Sequence, residues 1–197
     1  MATASKWAWR RQLTAARRLV TADQHHAEAR MLRNHIAAVV TPGSTVCAYV
    51  PVGSEPGTVD MLDELLHFAG RVLLPVADVA HDEEPLPLRW GEYRPGELVP
   101  GRWGLKEPPE PRLPESALAE AELVLLPALA VDRRGVRLGR GSGFYDRSLR
   151  FRNSRSRLVA VVRDSELIDQ LPSETHDVAM THALTPERGL IALPTRE

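Results

Sequence analysis

Ten residues in the second half of the chain combine alternating glycines with arginines. Residues 137–146 read Arg-Leu-Gly-Arg-Gly-Ser-Gly-Phe-Tyr-Asp, and the glycines are Gly139, Gly141 and Gly143. Without side chains at these positions, backbone N–H groups can close around an anion, and Arg137 and Arg140 add charged donors that suit phosphate oxygens. We predict a phosphate-binding turn before a helix that begins near Gly143. The spacing matches neither a Walker loop nor a dinucleotide fingerprint.

Charge around this turn leaves several interpretations open. Residues 133–163 contain ten arginines and a single acid, Asp146. This run is either a solvated basic face or a site for a polyanionic small molecule. A third alternative, a nucleic-acid-binding module, is less favoured because the whole chain has a net charge of -1 and aromatic residues are sparse in the run.

Asp146 follows the third glycine directly, where the turn is expected to hold phosphates. Mg²⁺ prefers oxygen ligands and usually takes one or two protein carboxylates, with water and phosphate oxygens completing its shell. A magnesium ligand is therefore one prediction for Asp146. The alternative is a helix-start carboxylate that satisfies free N–H groups.

The ten-residue segment resembles the R-L-G-x-G-x-G-Y-Y-D signature of the 5-formyltetrahydrofolate cyclo-ligase family. Four further segments resemble family motifs in the same order. They are Lys6 to Arg10 (K-x-x-x-R), Glu55 to Thr58 (E-x-x-T), Trp103 to Pro108 (W-x-[IL]-x-[EQ]-P), and His176-Asp177 after Pro172 ([HN]-D). The resemblance implies a cytoplasmic ligase of one-carbon metabolism that uses ATP as co-substrate and Mg²⁺ as cofactor. It would convert 5-formyltetrahydrofolate to 5,10-methenyltetrahydrofolate, ADP and phosphate.

The resemblance also implies which residues bind the two substrates and the metal. The expected ATP contacts are Lys6, Arg10, Arg137, Leu138, Gly139, Arg140, Gly141, Ser142, Gly143, Phe144 and Tyr145. The expected folate contacts are Val50, Glu55, Trp103, Arg140, Gly141, Ser142, Gly143 and Phe144. Arg140 and Tyr145 are the expected catalytic residues, and Asp146 with Asp177 would hold Mg²⁺. Lys6 and Arg10 lie four residues apart, so one helix face would present both to a triphosphate.

Two positions depart from the family signature. Phe144 replaces the first tyrosine of the Tyr-Tyr pair, which keeps an aromatic face but removes a hydroxyl. Ser142 stands where relatives can have glycine or lysine, so Arg140 is the nearest cation. Because the phosphate motif says more about ATP than about the pterin, the alternative enzyme is a diverged paralogue that binds ATP but acts on another folate or small carboxylate.

Strands and helices alternate along the sequence that positions these residues. Apolar spacing predicts two helices within residues 5–40, with Thr21 and Gln24 marking the start of the second. It predicts a third helix over residues 59–69 that is capped by Thr58. Buried strands are predicted at residues 45–50, 71–76, 123–126 and 158–162, and shorter ones at 178–181 and 190–193. The proline-rich residues 77–114 are expected to form a long excursion with a small hairpin.

This alternation predicts an α/β fold, a three-layer α/β/α single domain over residues 1–197 with a mostly parallel central sheet. Ligands in such folds bind beyond the carboxyl ends of the strands. The turns after Val50, Val76 and Val131 should therefore share one cleft.

Composition excludes other classes of protein. The single cysteine, Cys47, cannot form an intramolecular disulfide or a cysteine-based zinc site. The seven histidines show no metal-binding spacing. No apolar run is long enough to span a bilayer and no signal peptide is recognisable, so we expect a cytoplasmic monomer that acts on small molecules and binds neither membrane nor nucleic acid.

Overall fold

Two long helices open the chain in the computed structural model, which describes residues 5–174 and 177–194. The α-helices are α1 (Lys6–Arg17), α2 (Ala22–Val39), α3 (Asp60–Phe68) and α4 (Phe144–Ser148). The Thr21 side chain accepts a hydrogen bond from the Gln24 N–H at 3.2 Å, which confirms the predicted start of α2. Short 3-10 helices lie at Arg102–Gly104, Glu115–Glu120, Leu149–Phe151 and Asp164–Glu166. In the described ranges, no helix is both long and apolar enough to cross a membrane.

An eight-stranded sheet forms the centre of the fold. The strands of the described chain are β1 (Thr45–Cys47), β2 (Arg71–Val76), β3 (Arg89–Glu92), β4 (Val99–Pro100), β5 (Lys106–Glu107), β6 (Arg112–Leu113), β7 (Leu123–Pro127), β8 (Ala130–Asp132), β9 (Arg137–Leu138), β10 (Arg157–Val161), β11 (Leu167–Ile168), β12 (His182–Thr185) and β13 (Gly189–Ala192). The order in the sheet is β13-β12-β10-β7-β1-β2-β3-β6. The five strands from β12 to β2 are parallel, and antiparallel strands complete both edges. The predicted fold class is confirmed.

Alternate residues of the parallel strands enter two different hydrophobic cores. Val46, Val72 and Leu125 pack with α2 and α3 on one face. Their neighbours Cys47 and Leu73 pack on the other face with the 3-10 helices and α4 region. The sheet is buried on both sides, which explains why its strands read as nearly continuous apolar runs.

Helix α1 packs against a smaller sheet instead of the main one. Strand β8 pairs with β11 and β9 to form this three-stranded sheet. Leu13 of α1 shares a core cluster with Leu129, Val136 and Leu138. This packing places the start of α1 beside the segment that follows β9.

Several predicted boundaries were wrong in detail. Strand β1 was expected over residues 45–50 but ends at Cys47, although the Ala48 N–H still donates to the Leu73 carbonyl at 2.9 Å. Helix α3 begins at Asp60 with Val59 as its N-cap, and no side chain caps it, so Thr58 is not its cap. The tail strand expected at 178–181 lies at His182–Thr185. The proline-rich excursion also contributes β3 and β6 to the main sheet, in addition to the small β4-β5 ribbon.

Candidate functional site

A cavity of about 540 Å³ opens beyond the carboxyl ends of β1, β2 and β7. This volume lies within the range of small-molecule sites. Residues that follow these three strands share its wall, including Val50, Ala77 and Ala128, as expected for a parallel sheet. The expectation for the turn after Val131 was wrong, because β7 ends at Pro127 and residues 132–136 do not line the cavity. All of the site residues expected from the sequence also line it: Lys6, Arg10, Val50, Glu55, Trp103, Arg137, Leu138, Gly139, Arg140, Gly141, Ser142, Gly143, Phe144, Tyr145, Asp146 and Asp177.

One wall is formed by residues 137–146, which we call the glycine turn. Gly141 and Gly143 have φ angles of 104° and 78°, a conformation that residues with a Cβ rarely adopt. Helix α4 begins within this segment, at Phe144, but spans only five residues. A helix this short adds little dipole, so the capacity of this wall to hold an anion rests on its backbone donors and its arginines.

Arg137 is anchored deep in the wall. Its side chain is 7% exposed, and its Nη2 donates to Asp146 Oδ1 at 3.0 Å. Its Nη1 donates to the Pro127 carbonyl at 3.2 Å, and its guanidinium lies 5.4 Å from the ring centroid of Tyr145. Arg137 therefore links the end of β7 to both ends of the glycine turn.

Helix α1 reaches the same wall through two cations on one face. The Arg10 Nε donates to the Gly139 carbonyl at 3.0 Å, and a Cβ placed on Gly141 would lie 3.3 Å from the Arg10 Cζ. Lys6 Nζ lies 3.0 Å from Asp177 Oδ2 and 3.3 Å from Glu174. The predicted pair of cations thus reaches the cavity, and the missing side chain at Gly141 lets Arg10 approach the turn.

A second wall carries Glu55 on residues 53–57, which we call the Glu55 loop. The Glu55 side chain is 11% exposed, and its Oε1 lies 3.1 Å from the Nε of Arg140, whose own side chain is 58% exposed. Its other oxygen, Oε2, accepts from the Val52 N–H at 3.0 Å. The carboxylate predicted for folate and an arginine predicted for phosphate are therefore direct partners across the cavity.

The two aspartates predicted to bind Mg²⁺ line the cavity but contact different cations. Asp146 pairs with Arg137 and Asp177 pairs with Lys6. Within residues 5–174 and 177–194, no three His, Cys, Asp or Glu side chains are grouped to hold a metal ion. Two carboxylates in one cavity still fit Mg²⁺ carried by a nucleotide, because that ion needs few protein ligands. His176, from the predicted His-Asp dipeptide, lies outside the described residues.

Aromatic residues complete the cavity. The Trp103 and Phe144 rings lie 5.8 Å apart at 56°, and Trp103 is 60% exposed. Trp103 has a φ of 55°, in the left-handed region that favours glycine. Burial, and then the negative charge of Glu55, raise the pKa of Tyr145, so its phenol stays protonated and can donate a hydrogen bond.

Sequence reasoning missed Arg17 and Tyr49, which also line the cavity. Arg17 is buried and donates to both oxygens of Glu166 at 2.7 Å and to the Ala128 carbonyl at 2.6 Å. Lys6, Arg10 and Arg17 are four and seven residues apart, so the helical repeat could have identified Arg17. Tyr49 lies in an apolar run that predicts only a core residue.

The arginine run does not act as a single basic face. Arg134 pairs with the buried Asp132, Arg137 with Asp146, and Arg163 with Glu28. Neighbouring carboxylates thus compensate much of the positive charge. This pattern favours local structural roles and a small-molecule site over the nucleic-acid alternative.

Comparisons with known proteins agree on one family. The model of the 5-formyltetrahydrofolate cyclo-ligase family matches residues 2–186. A 5-formyltetrahydrofolate cyclo-ligase of Mycolicibacterium smegmatis is 53% identical over 193 residues, which cover 98% of this chain and 100% of that protein. One of Escherichia coli K12 is 30% identical over 151 residues, covering 76% of this chain and 81% of that protein.

Two solved structures share the fold. The NMR structure of the Aquifex aeolicus 5,10-methenyltetrahydrofolate synthetase superposes with a TM-score of 0.74 at 21% identity, covering 98% of this chain and 94% of that one. The Mycoplasma pneumoniae 5,10-methenyltetrahydrofolate synthetase gives 0.68 at 19% identity, covering 90% of this chain and 96% of that one. At these identities the likeness carries the fold alone.

Proposed function

The chain belongs to the 5-formyltetrahydrofolate cyclo-ligase family and is an enzyme, and from that premise we propose that it converts 5-formyltetrahydrofolate to 5,10-methenyltetrahydrofolate with ATP. One observation carries the proposal. Glu55, whose carboxylate can accept hydrogen bonds from the N–H-rich edge of a pterin, lines the same cavity as the glycine turn, whose backbone and arginines suit phosphate. The 3.1 Å contact between Glu55 and Arg140 shows how closely the two walls approach.

The proposed reaction has two steps. The formyl oxygen attacks the γ-phosphorus of ATP, and the bond to the bridging oxygen breaks with ADP as leaving group. N10 then attacks the formyl carbon, and the ring closes with loss of the N10 proton and of phosphate. Because phosphoryl transfer depends mainly on positioning and charge neutralisation, the protein needs cations and fixed donors more than a nucleophile.

The cations around the glycine turn would serve the first step. Arg137 and Arg140 present planar guanidinium groups suited to phosphate oxygens, and Lys6 and Arg10 approach from α1. The backbone of Leu138, Gly139, Gly141, Ser142 and Gly143 would contribute further contacts. The neutral phenol of Tyr145 can donate to an oxygen that gains charge during transfer.

The Glu55 side of the cavity would hold the folate. The carboxylate of Glu55 can accept hydrogen bonds from adjacent donors on the pterin, and Val50 offers apolar contact beside it. The Trp103 and Phe144 rings would pack against the flat parts of the substrate. Arg140 and the glycines beside it would meet both substrates.

Asp146 and Asp177 would hold Mg²⁺ beside the phosphates. The ion would neutralise charge on the phosphate oxygens. Both carboxylates are already within ion-pair distance of a cation, so metal binding would exchange the partners of Arg137 and Lys6. The Asp146 side chain is 51% exposed, so a metal ion can reach its carboxylate from solvent.

The test is direct turnover of the purified protein with 5-formyltetrahydrofolate, ATP and Mg²⁺. We expect the near-ultraviolet absorbance of the methenyl product to rise with equimolar release of phosphate. Hydrolysis of ATP without methenyl product would instead support the diverged paralogue. Salt-sensitive RNA or DNA binding without any turnover would support the nucleic-acid alternative.

A further inference from the structure

The Glu55 loop is held by side chains instead of by secondary structure. Residues 53–57 belong to no helix or strand, yet Glu55, Pro56 and Gly57 are buried. Backbone carbonyls in such a loop need partners because an unpaired buried carbonyl is costly. The residues that donate hydrogen bonds to these carbonyls are therefore the residues that position Glu55.

Three successive carbonyls of the loop each accept a hydrogen bond from a different element. Arg163 Nη1 donates to the Ser54 carbonyl at 3.0 Å. His25 Nε2 donates to the Glu55 carbonyl at 2.9 Å, and Tyr49 Oη donates to the Pro56 carbonyl at 2.8 Å. Arg163 follows β10, His25 lies on α2 and Tyr49 follows β1, so distant parts of the sequence converge on one peptide segment.

The donors are themselves fixed. Arg163 is buried, its Nε donates to Glu28 at 2.7 Å and its backbone N–H donates to Glu166 at 2.8 Å. Tyr49 is buried, and burial followed by the charge of Glu55 raises the pKa of its phenol, which keeps the donor proton in place. His25 contacts a carbonyl, so its Nε2 must carry the proton.

We infer that His25, Tyr49 and Arg163 are positioning residues that hold the Glu55 carboxylate in the geometry that binds the pterin edge. The inference rests on the proposed folate role of Glu55 and extends it to residues that hold the backbone of the Glu55 loop. Recognition by a charge-assisted hydrogen bond is sensitive to small displacements, so a loop fixed at three consecutive carbonyls reduces the ordering required on binding.

The test uses His25 and Tyr49, because replacing Arg163 would also remove its hydrogen bond to Glu28 and its ion pair with Glu166. Tyr49→Phe and His25→Leu each remove one donor, and His25→Gln retains an N–H at similar reach. Two substitutions are matched controls. Tyr93→Phe removes a buried phenol that donates to Asp63 at 2.6 Å. His35→Leu removes a histidine that lies on α2, as His25 does, and whose Nε2 contacts the Pro186 carbonyl at 2.9 Å. Neither control residue lines the cavity.

Binding of 5-formyltetrahydrofolate and of a non-hydrolysable ATP analogue is measured by calorimetry, together with melting temperature. We expect Tyr49→Phe and His25→Leu to weaken folate binding about three- to tenfold and to leave the ATP analogue unaffected. His25→Gln should restore most of the affinity. The two controls should lower only the melting temperature.

A double-mutant cycle with Glu55→Gln separates positioning from general destabilisation. If the residues act through Glu55, their effect on folate affinity should fall to less than about twofold in the Glu55→Gln protein, because the charge-assisted bond is already lost. Full, additive losses in that protein would overturn the positioning inference and leave the folate role of Glu55 intact. A Glu55→Gln protein with unchanged folate affinity would overturn both.

Discussion

The Glu55 loop and the glycine turn face the same cavity but are fastened in different ways. Residues 55–57 of the Glu55 loop are buried, and the loop backbone is held by side chains from three other elements. In the glycine turn, Arg140, Gly141 and Ser142 are exposed, and two glycines adopt left-handed φ angles. The wall that carries Glu55 is therefore pre-organised, whereas the tip of the glycine turn is exposed to solvent.

This difference fits the chemistry proposed for each wall. A rigid heterocycle is best recognised by a carboxylate held in one place. A triphosphate changes charge and geometry during transfer, and it is best met by cations that can exchange partners. The contact between Glu55 and Arg140 joins the two walls, and because Arg140 is largely exposed, this ion pair contributes little stability of its own.

The largest expected effect concerns the metal on the glycine-turn side. Asp146→Asn should lower turnover about a hundredfold or more and raise the Mg²⁺ concentration needed for half-maximal rate, because a phosphate-bound ion loses a charged ligand. Its melting temperature should change little, since the side chain is half exposed. Steady-state kinetics across a Mg²⁺ series is the measurement.

Asp169→Asn is the matched control for Asp146. Asp169 also pairs with an arginine, Arg133 at 3.1 Å, but it is 94% exposed and lies away from the cavity. The Asp169→Asn protein should retain wild-type kinetics. An Asp146→Asn protein with unaltered turnover and Mg²⁺ dependence would show that Asp146 serves only as the partner of Arg137.

The next effect tests the pre-organised wall. Glu55→Gln should weaken 5-formyltetrahydrofolate binding about 10- to 150-fold, the loss expected for a charge-assisted hydrogen bond of about 1.5–3 kcal/mol. ATP binding should stay nearly constant. Calorimetry with each ligand separately measures the two affinities. The control is Glu120→Gln, which removes an exposed ion pair with Arg71. Equal losses for both ligands would mean that the walls do not divide the substrates.

A smaller effect is expected from Arg140→Lys. The charge remains but the planar fork is lost, so ATP affinity should fall about three- to tenfold. Arg133→Lys, which alters an exposed ion pair outside the cavity, should have no effect. Equilibrium binding of the ATP analogue is the measurement. Should the lysine variant bind it as tightly as the wild type, a bidentate phosphate contact by Arg140 is ruled out.

The last expected effect is a pH dependence of stability that arises from the tyrosines. Burial raises the pKa of all three tyrosines, Tyr49, Tyr93 and Tyr145. The unfolded phenol titrates near pH 10, so above that pH the unfolded state loses protons first and stability falls, by up to about 1.4 kcal/mol per pH unit for each phenol. Below pH 10 the tyrosines do not make the free energy of unfolding depend on pH.

Urea denaturation at pH 9, 10 and 11 measures this slope, and Tyr49→Phe should reduce it by up to about 1.4 kcal/mol per pH unit above pH 10. The Cys47 thiol, whose pKa is also raised by burial, is common to both proteins and cancels from their difference. Equal slopes in the two proteins would show that Tyr49 titrates normally and is not enclosed behind the Glu55 loop.

Much of the fold was predictable because the parallel strands are buried on both faces. Apolar runs bounded by turn residues located β2, β7 and β10 to within a residue or two. The edge strands were harder. Strands β3 and β6 are short and lie among prolines. Strand β3 pairs with the outer edge of β2, and β6 pairs with β3. Backbone pairing of this kind leaves almost no periodic signal.

The candidate site also divides into features that the sequence predicted and features that it did not. The sequence by itself determined which residue types stand at the glycine turn, at α1 and after β1, because glycine conformations and charges are local properties. Only the tertiary structure decided which charges are partners, such as Arg137 with Asp146 and Glu55 with Arg140. The tertiary structure also decided that side chains distant in sequence, at positions 25, 49 and 163, hold the Glu55 loop. The physical reason is that a hydrogen bond depends on distance and direction in space, which sequence spacing specifies only within one helix or strand.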